Sequence, residues 1–349
     1  MKTVNIGIIG VGGIAKKHIK ELLSYEDVKI VAICDVNPRA IAEKNEQLQL
    51  PAEKCYENYM DLINDPDVDA VEICTPNHLH TPMALATLEA GKPVNLEKPI
   101  AMSYEEALQI LDAEKKSSAF GMTCFSYRFK PAVRYAKHLV DTGAIGRIVG
   151  VNVAYLKSSA FWEGRRLEWR FVKEYAASGV IGDLGVHLID LAQLLAGEVT
   201  SLCATQQTVV KERKRLDSDE IAPVETEDQC SFIAKFSGGA EGSFHITRCA
   251  IGHANTIRYD VYGDRGSLSF DLNDPTVLGI CYGEGDPKDL KIQTVSVPKE
   301  FYLDQERAFV DAVKGVRNPL FPTLSHGAQG QRVVDAILQS AAERRWIDI

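Results

Sequence analysis

At 349 residues, 45% hydrophobic and 25% charged, the chain has the make-up of a globular protein and more length than one compact core usually takes up, so two domains are expected. A net charge of −9 argues against a nucleic-acid surface and gives no sign of attraction to an anionic membrane, and no apolar run reaches the ~20 residues of a bilayer span. The eight cysteines stand singly, with no C-x-x-C pair and several inside apolar runs, as buried thiols do in a reducing cytoplasm, and His78 and His80 lack a partner at ligand spacing, so no metal site is expected.

The chain opens on Val4 to Ile9, an apolar, β-branched run that reads as a buried parallel strand rather than a signal peptide. It runs into Gly10-Val11-Gly12-Gly13-Ile14-Ala15, a G-x-G-x-x-A turn opening a helix from Ala15 to Leu23; Val28 to Cys34 is the next strand, with Asp35 at its end. Gly10 permits the tight turn, Gly12 admits a pyrophosphate to the backbone, Ala15 allows close helix–strand packing, and the helix N-terminus offers free N–H groups. A carboxylate at Asp35 accepts both hydroxyls of a ribose and repels a 2′-phosphate. NAD is therefore favoured over NADP, with Arg39 read as a solvated residue of the helix that starts at Pro38.

The alternation continues with a strand Asp69 to Cys74, a break at Thr75-Pro76-Asn77, a helix Pro82 to Ala90, a strand Pro93 to Leu96, a helix Tyr104 to Lys116 with a capping box at Ser103 and Glu106, and a strand Phe120 to Phe125. This predicts an α/β fold, a Rossmann doubly wound parallel sheet over residues 1–124. The texture then changes. Helices from Pro131 to Asp141, from about Gly182 to Leu195 and from Gly330 to Arg344 accompany extended runs at Ile148 to Leu156, Thr200 to Val210, Gln229 to Phe236, Ala240 to Arg248, Thr256 to Gly263 and Ser267 to Phe270. Residues 125–349 are expected to form an α+β domain with a mostly antiparallel sheet and helices on one face.

Two further segments carry chemistry. Asn95-Leu96-Glu97-Lys98-Pro99 ends a buried strand; Lys98 is either a desolvated acid–base group or one half of a surface ion pair, and Pro99 is a candidate cis proline. In Ser178 to Asp190, a helix starting near Gly182 puts Asp183 and His187 at i and i+4, which suits either proton exchange or a cap beside a core histidine.

Taken with the glycine turn, Glu97-Lys98-Pro99 and Gly182-Asp183-Leu184-Gly185-Val186-His187-Leu188-Ile189-Asp190-Leu191 resemble the Gfo/Idh/MocA family of nicotinamide-dependent sugar and polyol oxidoreductases over essentially the whole chain; Thr75-Pro76-Asn77 with His80 and Tyr127-Arg128-Phe129 agree as well. The resemblance implies a Rossmann domain followed by an open-faced antiparallel sheet, with the active site between them. It also implies a catalytic set of Lys98, Asp183 and His187, cofactor contacts from Gly10, Gly12, Gly13, Ile14, Asp35, Thr75, Asn77, His80 and Glu97, and a homodimer or homotetramer formed through the sheet. Tyr127, Arg128, Trp169 and Arg170 are the expected substrate-binding residues, since an aromatic face suits a sugar ring and a guanidinium suits vicinal hydroxyls. The implied activity is hydride transfer between NAD and a secondary hydroxyl of a cyclic polyol or pyranose-type sugar, in a cytoplasmic enzyme. NAD-dependent glycoside cleavage and non-catalytic sensing also occur in the family; keeping all three acid–base residues argues against the sensor. The chain departs from many relatives in carrying Ala177-Ser178-Gly179 where they have three glycines.

Overall fold

In the computed structural model, which describes residues 3–286 and 288–349, the chain forms two compact units, Met1–Phe125 with Asp304–Ala328 and Ser126–Leu303 with Gln329–Ile349. The linear pattern places everything after residue 124 in one domain. Asp304–Ala328 instead returns to the first unit, where helix Gln305–Val313 buries Ala308, Phe309, Val310 and Ala312 in the same apolar cluster as Ile19, Leu22 and Met122.

The first unit holds a six-stranded parallel sheet of β1 (Val4–Ile9), β2 (Val28–Cys34), β3 (Cys55–Tyr56), β4 (Ala70–Ile73), β5 (Val94–Leu96) and β6 (Gly121–Thr123), in the order β3-β2-β1-β4-β5-β6. In register, Val4 faces Val28 and Ile6 faces Ala70. Helices α1 (Ala15–Leu22), α2 (Pro38–Leu48), α3 (Tyr59–Asn64), α4 (His80–Glu89) and α5 (Tyr104–Lys116) connect the strands. Burial on both faces explains the near-continuous Val/Ile runs of β1 and β2. The strand order reverses between β1 and β4, the place where such sheets bind ligands at the carboxyl ends of their strands. The cap of α5 closes only halfway as a box. Ser103 Oγ accepts from Glu106 N–H at 3.2 Å, while the Glu106 carboxylate turns to Met102 N–H and the Thr81 hydroxyl.

The second unit is built on a nine-stranded sheet. Its strands are β7 (Ile148–Leu156), β8 (Val199–Gln207), β11 (Gln229–Phe236), β12 (Glu241–Thr247), β13 (Thr256–Gly263), β14 (Gly266–Asp271), β15 (Val277–Tyr282), β16 (Gln293–Ser296) and β17 (Ile347–Asp348), in the order β16-β15-β14-β13-β7-β12-β11-β8-β17; β9 (Glu212–Lys214) and β10 (Ile221–Pro223) form a separate hairpin. Every pairing in the large sheet is antiparallel except β12 with β7. Strand β12 alternates exposed Glu241, Ser243 and His245 with buried Gly242, Phe244 and Ile246, so one face is solvated and the other lies in the core. Helices α6 (Pro131–Asp141) and α7 (Val186–Ala196) belong to this unit, and the buried Tyr259 hydroxyl of β13 donates to the Leu188 carbonyl of α7 at 3.0 Å. A regular helix was expected from about Gly182, but Ile181–Gly185 winds as a π-helix before α7 begins. The stretch Lys173–Ala196 has the length and apolar composition of a membrane span, yet it is mostly buried inside its own unit, as a core helix is.

Candidate active site

In the first unit the glycine turn has the shape of a nucleotide seat. Gly10 has φ +84°, and a Cβ there would lie 2.8 Å from Thr75 Cγ2 and 2.9 Å from the Cys74 backbone, so this turn needs glycine. A Cβ on Gly12 or Gly13 would meet nothing within 4 Å, which leaves the backbone open to a pyrophosphate. No side chain caps the N-terminus of α1, so its first-turn N–H groups face outward beside exposed Gly12, Gly13 and Ile14. Asp35 is fixed at the end of β2, accepting from Val11 N–H at 3.0 Å and Asn37 N–H at 2.9 Å, with lone pairs left for a ribose diol. Thr75 follows β4, and Asn77 sits buried in the turn after it. These residues fit NAD.

Two expected cofactor contacts have other tasks. His80 is fully buried, its Nδ1 2.7 Å from the Pro99 carbonyl and its Nε2 2.9 Å from the Thr75 carbonyl, so the ring ties two loops together; burial lowers its pKa. The Glu97 carboxylate turns inward, Oε1 lying 3.1 Å from His18 Nε2 while Oε2 accepts from Lys98 N–H at 3.1 Å. Lys98 is half-buried, and the Lys98–Pro99 peptide is cis.

Behind Glu97 lies a charged cluster that pattern reading missed. His18 of α1 also has Nδ1 2.9 Å from Glu72 and 3.1 Å from Glu306. Asn95 donates to both glutamates. Burial opposes a charge on His18, yet Cys74 and Glu306, with Glu72 and Glu97 in reach, hold its pKa well above the usual value. Burial and then the Glu306 charge push Glu72 up to about 8, while His18 holds Glu306 low in spite of its burial. His18 with Glu72 and Cys74, or with Glu97 and Cys124, lies within ligating distance for a cation. Burial raises the pKa of the Cys74 and Cys124 thiols, and both His18 nitrogens face carboxylates, so the cluster forms a buried proton-sharing network.

In the second unit Asp183 lies on the π-helical turn and His187 in the first turn of α7. Ser178 Oγ accepts from Gly182 N–H at 3.1 Å, and the buried Glu227 carboxylate accepts from Gly179 N–H at 2.7 Å and Ile181 N–H at 2.9 Å. Burial raises the pKa of Glu227 against those two bonds. The His187 ring packs on Tyr127 at 4.4 Å between centroids, and the Tyr127 hydroxyl is 3.0 Å from Tyr155, which donates to Asn255. Arg170 stacks over Trp169 at 4.3 Å, with Nε 3.7 Å from Asp183 Oδ1. Trp169, Arg170 and Tyr127 therefore stand beside Asp183 and His187.

Arg128 does not stand there as a substrate ligand. It is 2% exposed and forms a bidentate pair with Asp190, Nε to Oδ2 at 2.8 Å and Nη2 to Oδ1 at 2.6 Å. The arginine expected to read hydroxyls is bound instead to a carboxylate of α7, the geometry a guanidinium fork favours.

A dinucleotide seat in one unit and a carboxylate, a histidine and two arginines gathered in the other suit an oxidoreductase that works with NAD. Residues 4–124 match the oxidoreductase family, NAD-binding Rossmann fold model, and residues 133–269 match the GFO/IDH/MocA C-terminal domain model. The chain is 30% identical to levoglucosan dehydrogenase of Pseudarthrobacter phenanthrenivorans over 100% of its own length and 99% of that protein. It is 26% identical to myo-inositol 2-dehydrogenase of Thermotoga maritima, with 90% of each covered. A solved structure of levoglucosan dehydrogenase in complex with NADH superposes with a TM-score of 0.91 at 30% identity, covering 100% of this chain and 99% of that one. The chain belongs to the Gfo/Idh/MocA oxidoreductase family.

Proposed function

We propose that the chain oxidises a secondary hydroxyl of a cyclic polyol or pyranose-type sugar, an inositol or an anhydrosugar such as levoglucosan among them, or reduces the corresponding ketone. Bound NAD supplies the hydride acceptor. His187 takes the hydroxyl proton at a ring nitrogen, Lys98 holds and polarises the oxygen, and Asp183 orients the pair. Trp169 offers an aromatic face to a sugar ring, Arg170 offers donors to its hydroxyls, and the Tyr127 oxygen, its proton given to Tyr155, offers an acceptor. Asp35, a fixed carboxylate at the ribose edge, favours NAD over NADP.

The observation that carries the reading is the set around Asp183: a carboxylate one turn before a histidine, an aromatic ring on that histidine, and an arginine–tryptophan stack at the carboxylate. Exposed Ile233, Tyr262 and Trp346 on the second unit's sheet support association of two or four copies through that surface. Sedimentation velocity should then give a dimer or tetramer.

The test is NADH absorbance with a panel of inositols, free pyranoses, anhydrosugars and glycosides. Turnover of a polyol or sugar, reduced about 10²- to 10⁴-fold in Lys98→Ala and His187→Ala, is the expected outcome. Glycoside cleavage without net NADH would replace the dehydrogenase with a redox glycosidase, and tight NAD binding with no turnover would favour a sensor.

A further inference from the structure

Arg248 has no part in the reading above, and its surroundings do not suit an idle arginine. It directly follows β12, is 1% exposed, and lays its guanidinium over the Phe171 ring at 5.3 Å. Neither Nη atom has a hydrogen-bond partner among the described residues. Its ion-pair partner is Asp183, with Nη2 3.5 Å from Oδ2. A buried guanidinium that forgoes its hydrogen bonds is unfavourable, and a methionine would fill much of the same space without that penalty. Asp183 is thereby bracketed, with Arg170 at Oδ1 and Arg248 at Oδ2. The two cations differ: Arg170 is partly exposed and screened by water, and it also faces Glu168, whereas Arg248 is shut away from solvent.

We propose that Arg248 is a positioning residue for Asp183, holding it as a carboxylate of fixed orientation so that the proton leaving the substrate hydroxyl goes to His187. This rests on the dehydrogenase reading: the substrate O–H bond breaks and its proton passes to the imidazole, while the carbon-bound hydrogen leaves with its electron pair to the bound nicotinamide. A cation 3.5 Å away in a water-poor setting favours the charged form of Asp183, and a carboxylate kept charged orients a proton carrier without competing for the proton. Among the described residues, Arg213 of β9, Glu227 before β11 and Cys249 feel the Arg248 charge, and Tyr127 and Tyr155 of β7 feel that of Asp183. The His187 ring of α7 packs on Tyr127.

The experiment is a carboxyl ¹³C NMR titration of the full chain labelled at aspartate, with Asp183 assigned by Asp183→Asn. In wild type the Asp183 midpoint should lie at least about one unit below the ordinary aspartate value near 3.9. Arg248→Met should raise it by about one unit or more, Arg248→Lys should keep most of the depression, and Arg170→Gln should move it less than Arg248→Met does. A folded Arg248→Met with an unmoved Asp183 overturns the proposal, as does a wild-type Asp183 that titrates at or above the ordinary value. If Arg248→Met does not fold, Arg170→Gln decides: Asp183 still depressed supports Arg248 as the source, and a return to the ordinary value overturns it. Once a substrate is in hand, Arg248→Met should shift the acid limb of kcat/KM upward and lower kcat about 10-fold or more, with KM for NAD within about two-fold. The titration needs no substrate, so failure of the dehydrogenase reading and failure of this inference give different results.

Discussion

Asp35, Arg128 and His18 are each held by a small set of named partners, and each allows a prediction. The Asp35 carboxylate is aimed by Val11 and Asn37, so Asp35→Ala removes the carboxylate proposed to hold the ribose without touching the apolar core. KM for NAD should rise about 10-fold or more and the preference over NADP should narrow, measured as kcat/KM with each cofactor. Arg128→Met strands Asp190 as a buried, unpaired carboxylate and should cost about 3–5 kcal/mol in denaturant unfolding, whereas the double change Arg128→Met with Asp190→Leu should recover much of the loss. The His18 cluster predicts a pH dependence. His18 has its folded pKa above 6.5, so the stability it contributes is full below 6.5 and is lost as pH rises through the folded value. Glu72, raised from 4.5 to about 8, acts in the same sense, losing its contribution between those values. Glu306, held below 4.5, acts oppositely and loses its contribution only on the acid side. Melting temperature should therefore fall from mildly acidic pH toward about pH 9, and Glu72→Gln, with no proton to lose, should flatten that fall.

Among the elements, the turn that delivers Asp183 is tightly constrained. Ser178 N–H bonds back to the Ala176 carbonyl at 2.7 Å, and Ala177 between them has φ +62° and ψ −46°, a tight γ-turn in its strained, positive-φ form. Glycine adopts that geometry without the Cβ penalty, so Ala177→Gly should stabilise the chain by about 1 kcal/mol in denaturant unfolding. Two residues on, Gly179→Ala should destabilise by upward of ~2 kcal/mol, because its Cβ would overlap the Glu227 carbonyl oxygen. Long alternating or β-branched runs were legible in the sequence: Val4–Ile9, Val28–Cys34, Ile148–Leu156, Gln229–Phe236 and Thr256–Gly263 begin and end in the structure where their patterns do. Cys55–Tyr56 is too short to carry a period. Helix Gln305–Val313 was hidden because Gln305 and Glu306, at its start, are buried polar residues that read as solvated. Glu227 and Arg248 escaped for the same reason, as charged residues beside strand ends are ordinarily at the surface. The glycine turn and Asp35 were legible because their spacing has a local cause. The Arg128–Asp190 pair spans 62 residues and has none.

For the whole molecule, the division into two units makes the nucleotide-binding half depend on residues far along the chain. Leu324 packs against Gly121 where a Cβ would overlap it, Thr123 N–H bonds to the Pro322 carbonyl at 2.8 Å, and Arg307 and Lys314 both pair with Asp27. Residues 1–125 expressed alone should therefore lack a cooperative melt and bind a hydrophobic dye, and a version with 304–328 joined by a flexible linker should regain the melt and NAD binding, read by calorimetry. The same arrangement sets a timetable for synthesis. A ribosome that has finished Phe125 has made every strand of the nucleotide sheet, yet Ile19, Leu22 and Met122 still await Phe309 and Val310. The whole second sheet apart from its last strand is translated in the interval. The nascent nucleotide unit must wait, sticky and incomplete, while nearly two hundred further residues emerge, so chaperone occupancy on ribosome-bound chains should persist until the segment ending at Ala328 has cleared the exit tunnel.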